Sequence, residues 1–329
     1  MTDVLPSARD VADAEIRLRN WVLETPVLES DAINARAGTR VLFKVEALQH
    51  GGSFKIRGAL NRMLKLSYAE RSAGVVAYSS GNHAQGVALA AKWLGVPAVI
   101  VMPADAPKTK LNRTRALGAE IVLYDRIAED REAIAAQIAA ERGMALVPPF
   151  DHADVIAGQG TAALELGRAA RLRNVDLDAL YVPCSGGGLV AGSALAIKTF
   201  FPSCAVFAVE PEGYGDLQAS LAAGERRMLT AQPPTFCDAL RAPMTGAVTF
   251  AVNRRELAGA LTVNDTETRG ALALALEHLK IVLEPSGAVA LAAVLKEPQQ
   301  ERKAVGVILS GGNVDTAVLI GALTAEAPS

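Results

Sequence analysis

The chain has 329 residues, with 33 basic against 35 acidic for a formal charge of −2; half of it is hydrophobic and about a fifth charged. That balance supports roughly two domains' worth of buried core and excludes disorder, and the near-zero charge excludes a general basic surface for nucleic acid or anionic lipid. Three scattered cysteines, Cys184, Cys204 and Cys237, make neither a disulfide framework nor a CxxC metal pair, which fits a reducing cytoplasm.

In chain order, the first thirty residues carry Asp3, Arg9, Asp10, Asp13, Glu15, Arg17 and Arg19, so no apolar leader is expected there. VLFKVEAL from Val41 reads as a strand. The segment before residue 65 has too little apolar material for its own domain and is expected to pack on the later half. From about Val75, short β-branched runs alternate with helices: VVAYS, a helix ending at Gly95, PAVIVM, a helix ending near Gly118, EIVLY, a helix from about Glu129 to Arg142, and MALVP. Strict alternation predicts a small parallel α/β layer with right-handed crossovers. After Pro148 and Pro149 follow a long helix from about Val155 to Arg173, a strand at LYVPC, a glycine turn and another helix. Further strands are expected at AVFAVE, LTVN and AVGVILS, with a helix at ALALALEHLK. The second half is thus a second α/β unit, and residues 66–151 are expected to form a small domain inserted between residues 1–65 and 152–329 of a larger one. The longest uncharged stretch, Ala179 to Ile197, is broken by Pro183 and three glycines, so no membrane span is expected.

Four glycine-rich segments follow or adjoin predicted strands: GGSFKIRGA (51–59), SSGNHAQG (79–86), SGGGL (185–189) and SGGN (310–313). Loops at the carboxyl ends of parallel strands converge on one crevice, so all four can serve a single site. SGGGL gathers backbone amides at the positive end of a helix and suits one phosphate, although alone it is equally a tight turn. No Gly-x-Gly-x-x-Gly with a downstream acid and no Walker lysine is placed for a nucleotide, and GQGTAA (158–163) follows no adequate strand. Lys55 stands beside Phe54 in an apolar, glycine-flanked setting that lowers an amine's pKa by desolvation and suits it to form a Schiff base. By itself, a lysine at a helix start is ordinarily a solvated charge. An imine-forming lysine together with a one-phosphate loop is the pair that pyridoxal 5′-phosphate requires. SSGNHAQG sets two hydroxyls, an amide and an imidazole at a helix mouth, fit to grip a carboxylate and also readable as an N-cap with a structural histidine. Ser310 could meet a ring nitrogen or serve only a turn.

Together these residues resemble the fold-type II pyridoxal-phosphate enzymes, and among them the serine/threonine dehydratase and serine racemase family. SFKIRGA, SSGNHAQG, VIAGQGT, SGGGL, EPSGA and LSGGNVD occur in order, and the likeness spans roughly residues 5 to 320. The resemblance implies a tryptophan synthase β-like α/β fold, two open twisted sheets with flanking helices, the small domain inserted in the large. It implies that Lys55 holds the cofactor covalently and moves the α-proton on one face, with Phe54 as aromatic neighbour and Asn82 on the phenolic oxygen. Ser185, Gly186, Gly187, Gly188 and Leu189 would surround the phosphate, and Ser310 would partner the pyridine nitrogen, leaving it unprotonated and favouring elimination over transamination. Ser79, Ser80, Gly81, Asn82 and His83 would hold the substrate carboxylate. Glu210, Tyr214 and Asp216 in VEPEGYGD match the family's divalent-cation ligands, two carboxylates and a main-chain carbonyl, suited to Mg2+, Ca2+ or Mn2+. Without the resemblance they read as a solvated acidic turn.

The implied reaction converts a β-hydroxy-α-amino acid, threonine or serine first, to a 2-oxo acid and ammonia. Ser80 stands where racemases carry a serine able to act on the opposite face of the α-carbon, whereas PPFDHADVIAGQGT, with Phe150, resembles the dehydratase version of that segment. Arg131 matches an arginine that contacts a second carboxylate in the racemase-like branch, which makes 3-hydroxyaspartate an alternative substrate. On its own an arginine among acids on a helix is a solvated i,i+4 partner. Ala239 in CDALR stands where many relatives have glycine, so a methyl is expected near the cofactor face. A catalytically silent amino-acid-binding protein of the same fold is the alternative from another class. A homodimer is implied, and the C-terminal regulatory domain of biosynthetic threonine dehydratases is not expected.

Overall fold

The computed structural model describes residues 5–296 and 301–324. Its strands are β1 (Val27–Leu28), β2 (Arg40–Val45), β3 (Val75–Tyr78), β4 (Ala98–Pro103), β5 (Glu120–Tyr124), β6 (Ala145–Leu146), β7 (Ala179–Pro183), β8 (Ala205–Pro211), β9 (Gly259–Val263) and β10 (Ala304–Leu309). Six of them form one sheet in the order β1-β2-β10-β7-β8-β9, and four form a second in the order β5-β4-β3-β6. Of these strands only β1 and β2 pair antiparallel. Strands covered by helices on both faces read as unbroken apolar runs, and β3, β4, β7 and β10 are buried at every residue. The uncharged stretch from Ala179 to Ile197 is β7, a turn and the Gly188–Ile197 helix, and no helix among the described residues is long and apolar enough to cross a membrane.

The smaller sheet carries the expected alternation, with crossovers through the Asn82–Leu94, Lys108–Ala116 and Arg131–Arg142 helices. Gly95 and Gly143 stop the first and third in the left-handed conformation, at φ 64° and 67°. The segment before residue 65 joins the larger sheet through β1 and β2. The Lys55–Leu64 helix, however, turns Ile56, Leu60 and Met63 into the core of the smaller sheet, among Val75, Ala77, Val87 and Ile100. Its other side lies on the Ala153–Leu172 helix, so close that a Cβ on Gly58 would come within 2.9 Å of Val155 and Gln159.

GQGTAA has a packing role in that second helix. A side chain on Gly158 would strike the backbone of Arg57, and one on Gly160 would come 2.7 Å from the carbonyl carbon of Gly192. The two glycines let the Ala153–Leu172 helix touch the Lys55–Leu64 helix on one side and the Gly188–Ile197 helix on the other. A charge cluster seals the same junction. Arg57, wholly buried, pairs with Glu46 at 2.7 Å and Glu165 at 2.6 Å, and buried Lys44 pairs with Glu165 at 2.6 Å.

Candidate active site

The glycine turn follows β7 directly. Gly187 sits at φ 92°, a conformation open to glycine at low cost, and begins the Gly188–Ile197 helix. A Cβ on Gly186 would overlap the Phe150 ring, and one on Gly187 would come 2.6 Å from Asn253 Nδ2. Thr249 Oγ1 donates to Gly186 O at 2.7 Å and Asn253 Nδ2 to Gly187 O at 3.2 Å, while Ser185 Oγ accepts from Ala242 N at 3.1 Å. The turn is therefore a set of backbone amides at a helix start, clamped from behind and able to cradle one anion.

Lys55 opens its helix from a backbone tied to the SGGN segment. Ser53 pairs with Gly311 across an antiparallel bridge, and Phe54 N donates to Ser310 O at 3.1 Å. Lys55 Nζ donates to Pro149 O at 2.9 Å and lies 5.1 Å from the centre of the Phe54 ring. Burial brings this amine down to about 8, against the opposing pull of the Glu284 carboxylate. Pro149 is followed by Phe150, whose ring covers Gly186. One peptide step thus separates the acceptor of the amine from the residue that lines the turn.

The SSGNH segment closes the third side. Ser79 Oγ accepts from Gly81 N at 3.2 Å, and half-buried Ser80 lies in the same bend. His83 Nε2 meets Val147 O at 2.8 Å, and since a carbonyl only accepts, the proton is on Nε2. Burial, with the Lys55 charge adding, pushes this imidazole down to about 3; it is neutral, and its buried Nδ1 has no partner among the described residues. Gly86 on the same helix admits the Lys55 main chain, where a Cβ would stand 3.1 Å from it.

The resemblance puts Asn82 on the phenolic oxygen of the cofactor, and in this structure its amide joins a protein network. Its Nδ2 donates to Glu284 Oε1 at 2.6 Å, and its Oδ1 accepts from Asn313 Nδ2 at 2.9 Å. Sequence reasoning gives Glu284 no role, although EPSGA is part of the matching pattern; its signal is an acid just before the proline that opens the Pro285–Lys296 helix. Burial, reinforced by Asp238, pushes its carboxyl up to about 8. Asp238 in turn pairs with Lys110 at 2.6 Å, and Ala239 N donates to Ser286 Oγ at 3.1 Å, so CDALR lies against the same wall. Ser310, buried at the end of β10, completes it.

Arg131 is the first residue of its helix and places its guanidinium 5.6 Å from the centre of the Tyr78 ring, one residue before Ser79. Glu210, Tyr214 and Asp216 lie apart, at the end of β8 and the start of the Asp216–Ala223 helix. Glu210 caps that helix through Leu217 N and Gln218 N, both at 2.9 Å. Asp216 is buried with neither carboxylate oxygen meeting a partner among the described residues. Burial pushes Asp216 up to about 7 and, with Asp216 alongside, raises Glu210 well above the carboxylate range. The Tyr214 hydroxyl is committed elsewhere, donating to Pro233 O at 2.9 Å and accepting from Arg241 Nε at 3.0 Å. No cluster of three or more His, Cys, Asp or Glu is placed for a metal among the described residues, so a cation here would draw on main-chain and water oxygens besides the two acids.

These observations meet known proteins at one point. A family profile described as "Pyridoxal-phosphate dependent enzyme" matches residues 18–311. The chain is 48% identical over 314 residues to an L-threo-3-hydroxyaspartate ammonia-lyase of Saccharomyces cerevisiae, covering 95% of this chain and 94% of that one. It is 44% identical to a serine racemase of Schizosaccharomyces pombe, covering 95% of each. Among solved structures, the processed form of threonine deaminase isoform 2 from Solanum lycopersicum superposes with a TM-score of 0.89 at 32% identity, covering 98% of this chain and 97% of that one. With a half-buried amine, a glycine cradle at a helix start and a matching profile along nearly its whole length, the chain belongs to the pyridoxal-phosphate dependent enzymes.

Proposed function

We propose that this enzyme is an ammonia-lyase for β-hydroxy-α-amino acids, with 3-hydroxyaspartate ahead of threonine and serine. The observation that carries the order is Arg131, whose guanidinium stands over Tyr78 beside the segment assigned to the α-carboxylate. A second carboxylate on the substrate's β-carbon would find there a planar, bidentate partner. Relatives from yeast and Pseudomonas that act on L-threo-3-hydroxyaspartate, 48% and 45% identical, support the same order.

Pyridoxal phosphate, when bound, supplies the electron sink that acidifies the α-hydrogen and lets the β-hydroxyl leave. The chain's own residues do the rest. Lys55 Nζ, half-buried and brought down to about 8, is the attachment point and the group that takes the proton from the α-carbon. Pro149 O aims that nitrogen, and the amides of residues 185–189 hold the phosphate. Ser79, Ser80, Gly81, Asn82 and His83 orient the substrate carboxylate at the start of the Asn82–Leu94 helix, and Ser310 would partner the ring nitrogen.

A panel of L-threonine, L-serine, D-serine and the four 3-hydroxyaspartate isomers, scored for ammonia, 2-oxo acid and optical inversion, tests this reading. Ammonia from a hydroxyaspartate isomer at the highest kcat/KM is the expected result; amino-acid binding with no ammonia would point to a silent binding protein. Inversion of serine that disappears in Ser80→Ala would instead support a racemase. Arg131→Ala should raise KM for hydroxyaspartate by about tenfold or more, as loss of a charge-assisted pair does, with little change for threonine. Equal effects on both substrates would remove Arg131 from the site.

We also place a divalent cation, magnesium first, between Glu210, Asp216 and the main-chain carbonyl of Tyr214. Two buried acids side by side, one with both oxygens unpartnered among the described residues, fit a hard cation better than they fit each other. A chelator should lower Tm and activity, and Mg2+ should restore both; in Asp216→Ala the chelator should do nothing further. Wild-type indifference to chelation and Mg2+ would discard the site. The same reading carries a homodimer and a cytoplasmic setting, the latter supported by three buried, unpaired thiols.

A further inference from the structure

Three consecutive residues between the two sheets each hold a different part of the site. Pro149 O accepts from Lys55 Nζ, and the Phe150 ring lies on Gly186. The third, Asp151, turns the other way. Its carboxylate accepts from the backbone amides of Ala247 at 2.8 Å, Val248 at 2.9 Å and Thr249 at 3.0 Å. These open the Ala247–Glu256 helix, nearly a hundred residues downstream.

That helix begins on Gly246, which has no side chain to cap it, and a Cβ there would overlap the Asp151 carboxylate. Asp151 takes over the capping from a distance. It satisfies three amides that a helix start leaves unpaired, and its charge is favourable at the positive end of the helix. The helix so fixed grips the glycine turn. Gly186 O accepts from Thr249 Oγ1 at 2.7 Å and from Gly246 N at 3.3 Å, and Gly187 O accepts from Asn253 Nδ2 at 3.2 Å. Thr249 and Asn253 are wholly buried, so no water replaces these bonds cheaply. In a trans peptide the carbonyl and the following N–H point in opposite directions. Holding the carbonyls of Gly186 and Gly187 against this helix therefore turns the N–H groups of Gly187 and Gly188 away from it.

We propose that Asp151 is a positioning residue for the cofactor's phosphate, acting through the first turn of the Ala247–Glu256 helix on the two glycine carbonyls. The inference deepens the assignment of residues 185–189 to the phosphate and rests on it. Phosphate binding separates this role from a merely structural one, because pyridoxal has the same ring and aldehyde as pyridoxal 5′-phosphate and lacks only the anion.

Cofactor-free full-length protein is titrated with each compound, and attachment is read from the visible absorbance of the lysine-bound chromophore. Wild type should prefer the phosphorylated form. Asp151→Ala should lose about tenfold in affinity for pyridoxal 5′-phosphate, the size of a lost cap, with affinity for pyridoxal unchanged. Asp151→Asn, which keeps one acceptor oxygen, should fall between. Thr249→Val removes the hydroxyl at constant shape and should show the same selective loss, so it decides the matter if Asp151→Ala does not fold. An equal loss for both compounds, or no loss for either, in a background where wild type discriminates, overturns the role of Asp151 and leaves the turn as the phosphate site. A wild type that does not discriminate overturns the turn assignment and this inference with it.

Discussion

Lys55→Ala is expected to lower ammonia release from every substrate by about four orders of magnitude or more, since in the proposed function one atom supplies both covalent attachment and proton transfer. The folded protein should survive the change, because the lost group is a half-buried amine that among the described residues hydrogen-bonds a carbonyl and makes no ion pair. Thermal melting without cofactor serves as the control. Residual activity within about tenfold of wild type would remove Lys55 from the chemistry. The amine's environment adds a pH dependence with a definite sign. Only the neutral amine attacks an aldehyde, and burial has brought Lys55 down to about 8. Cofactor uptake by the cofactor-free protein should accordingly rise as pH increases through about 8 and then level off. A rise centred near the ordinary lysine value of about 10.4 would show the amine to be solvated.

The second large effect is on stability. Arg57→Ala is expected to cost about 3–5 kcal/mol, read as a shift in the urea midpoint, because it leaves two buried carboxylates with a single cation between them. Arg57 bonds Glu46 through Nε and Nη2 at 2.7 and 2.8 Å and Glu165 through Nη1 and Nη2 at 2.6 and 2.8 Å. Lys44 remains, paired with Glu165 and donating to Thr25 O, and burial already lowers its own pKa. The network joins β2, the Lys55–Leu64 helix and the Ala153–Leu172 helix. Glu165→Gln in the Arg57→Ala background should recover part of the loss by removing one stranded charge. A shift worth less than about 1 kcal/mol would mean that water reaches the cluster.

Much of this was legible in the chain because the signals were local. Val75 to Leu146 alternates runs short enough to be strands with segments that end in glycine, and Ser185 to Leu189 puts three glycines between a strand and a helix. Lys55 and the glycine turn, both singled out by their neighbours in sequence, are brought near each other through Pro149 and Phe150. Longer-range facts were not legible. Val27–Leu28 is too short to show a period. ALALALEHLK reads as a plain helix, yet its second half, Ala275–Leu279, is a π turn, and a widened turn leaves the apolar pattern unchanged. Arg57 and Lys44 look like surface charges until the fold brings Glu46 and Glu165 to them. Glu284 meets Asn82 across 202 residues, and Asp151 meets Ala247 across 96. Spacing rules see one element at a time, so contacts between elements escape them.

Arg131 shows the same limit from the other side. On its helix it sits among acids, which favours a solvated pair. Tyr78 comes from β3, and only the crossover of the Arg131–Arg142 helix from β5 over the sheet to β6 brings its start to that ring, which Ser79 follows. Asn82, which the resemblance places on the phenolic oxygen, has protein partners that lie far from it in the chain. It faces Glu284 and Asn313, so any contact with the cofactor must share or replace those bonds.

Borohydride reduction of protein loaded with pyridoxal 5′-phosphate, followed by digestion and mass spectrometry, tests the central claim without relying on activity. The pyridoxyl mass should appear on the peptide that contains Lys55 and on no other lysine of the chain. Modification of a different lysine, or a holoenzyme that reduction leaves unlabelled, would contradict the account.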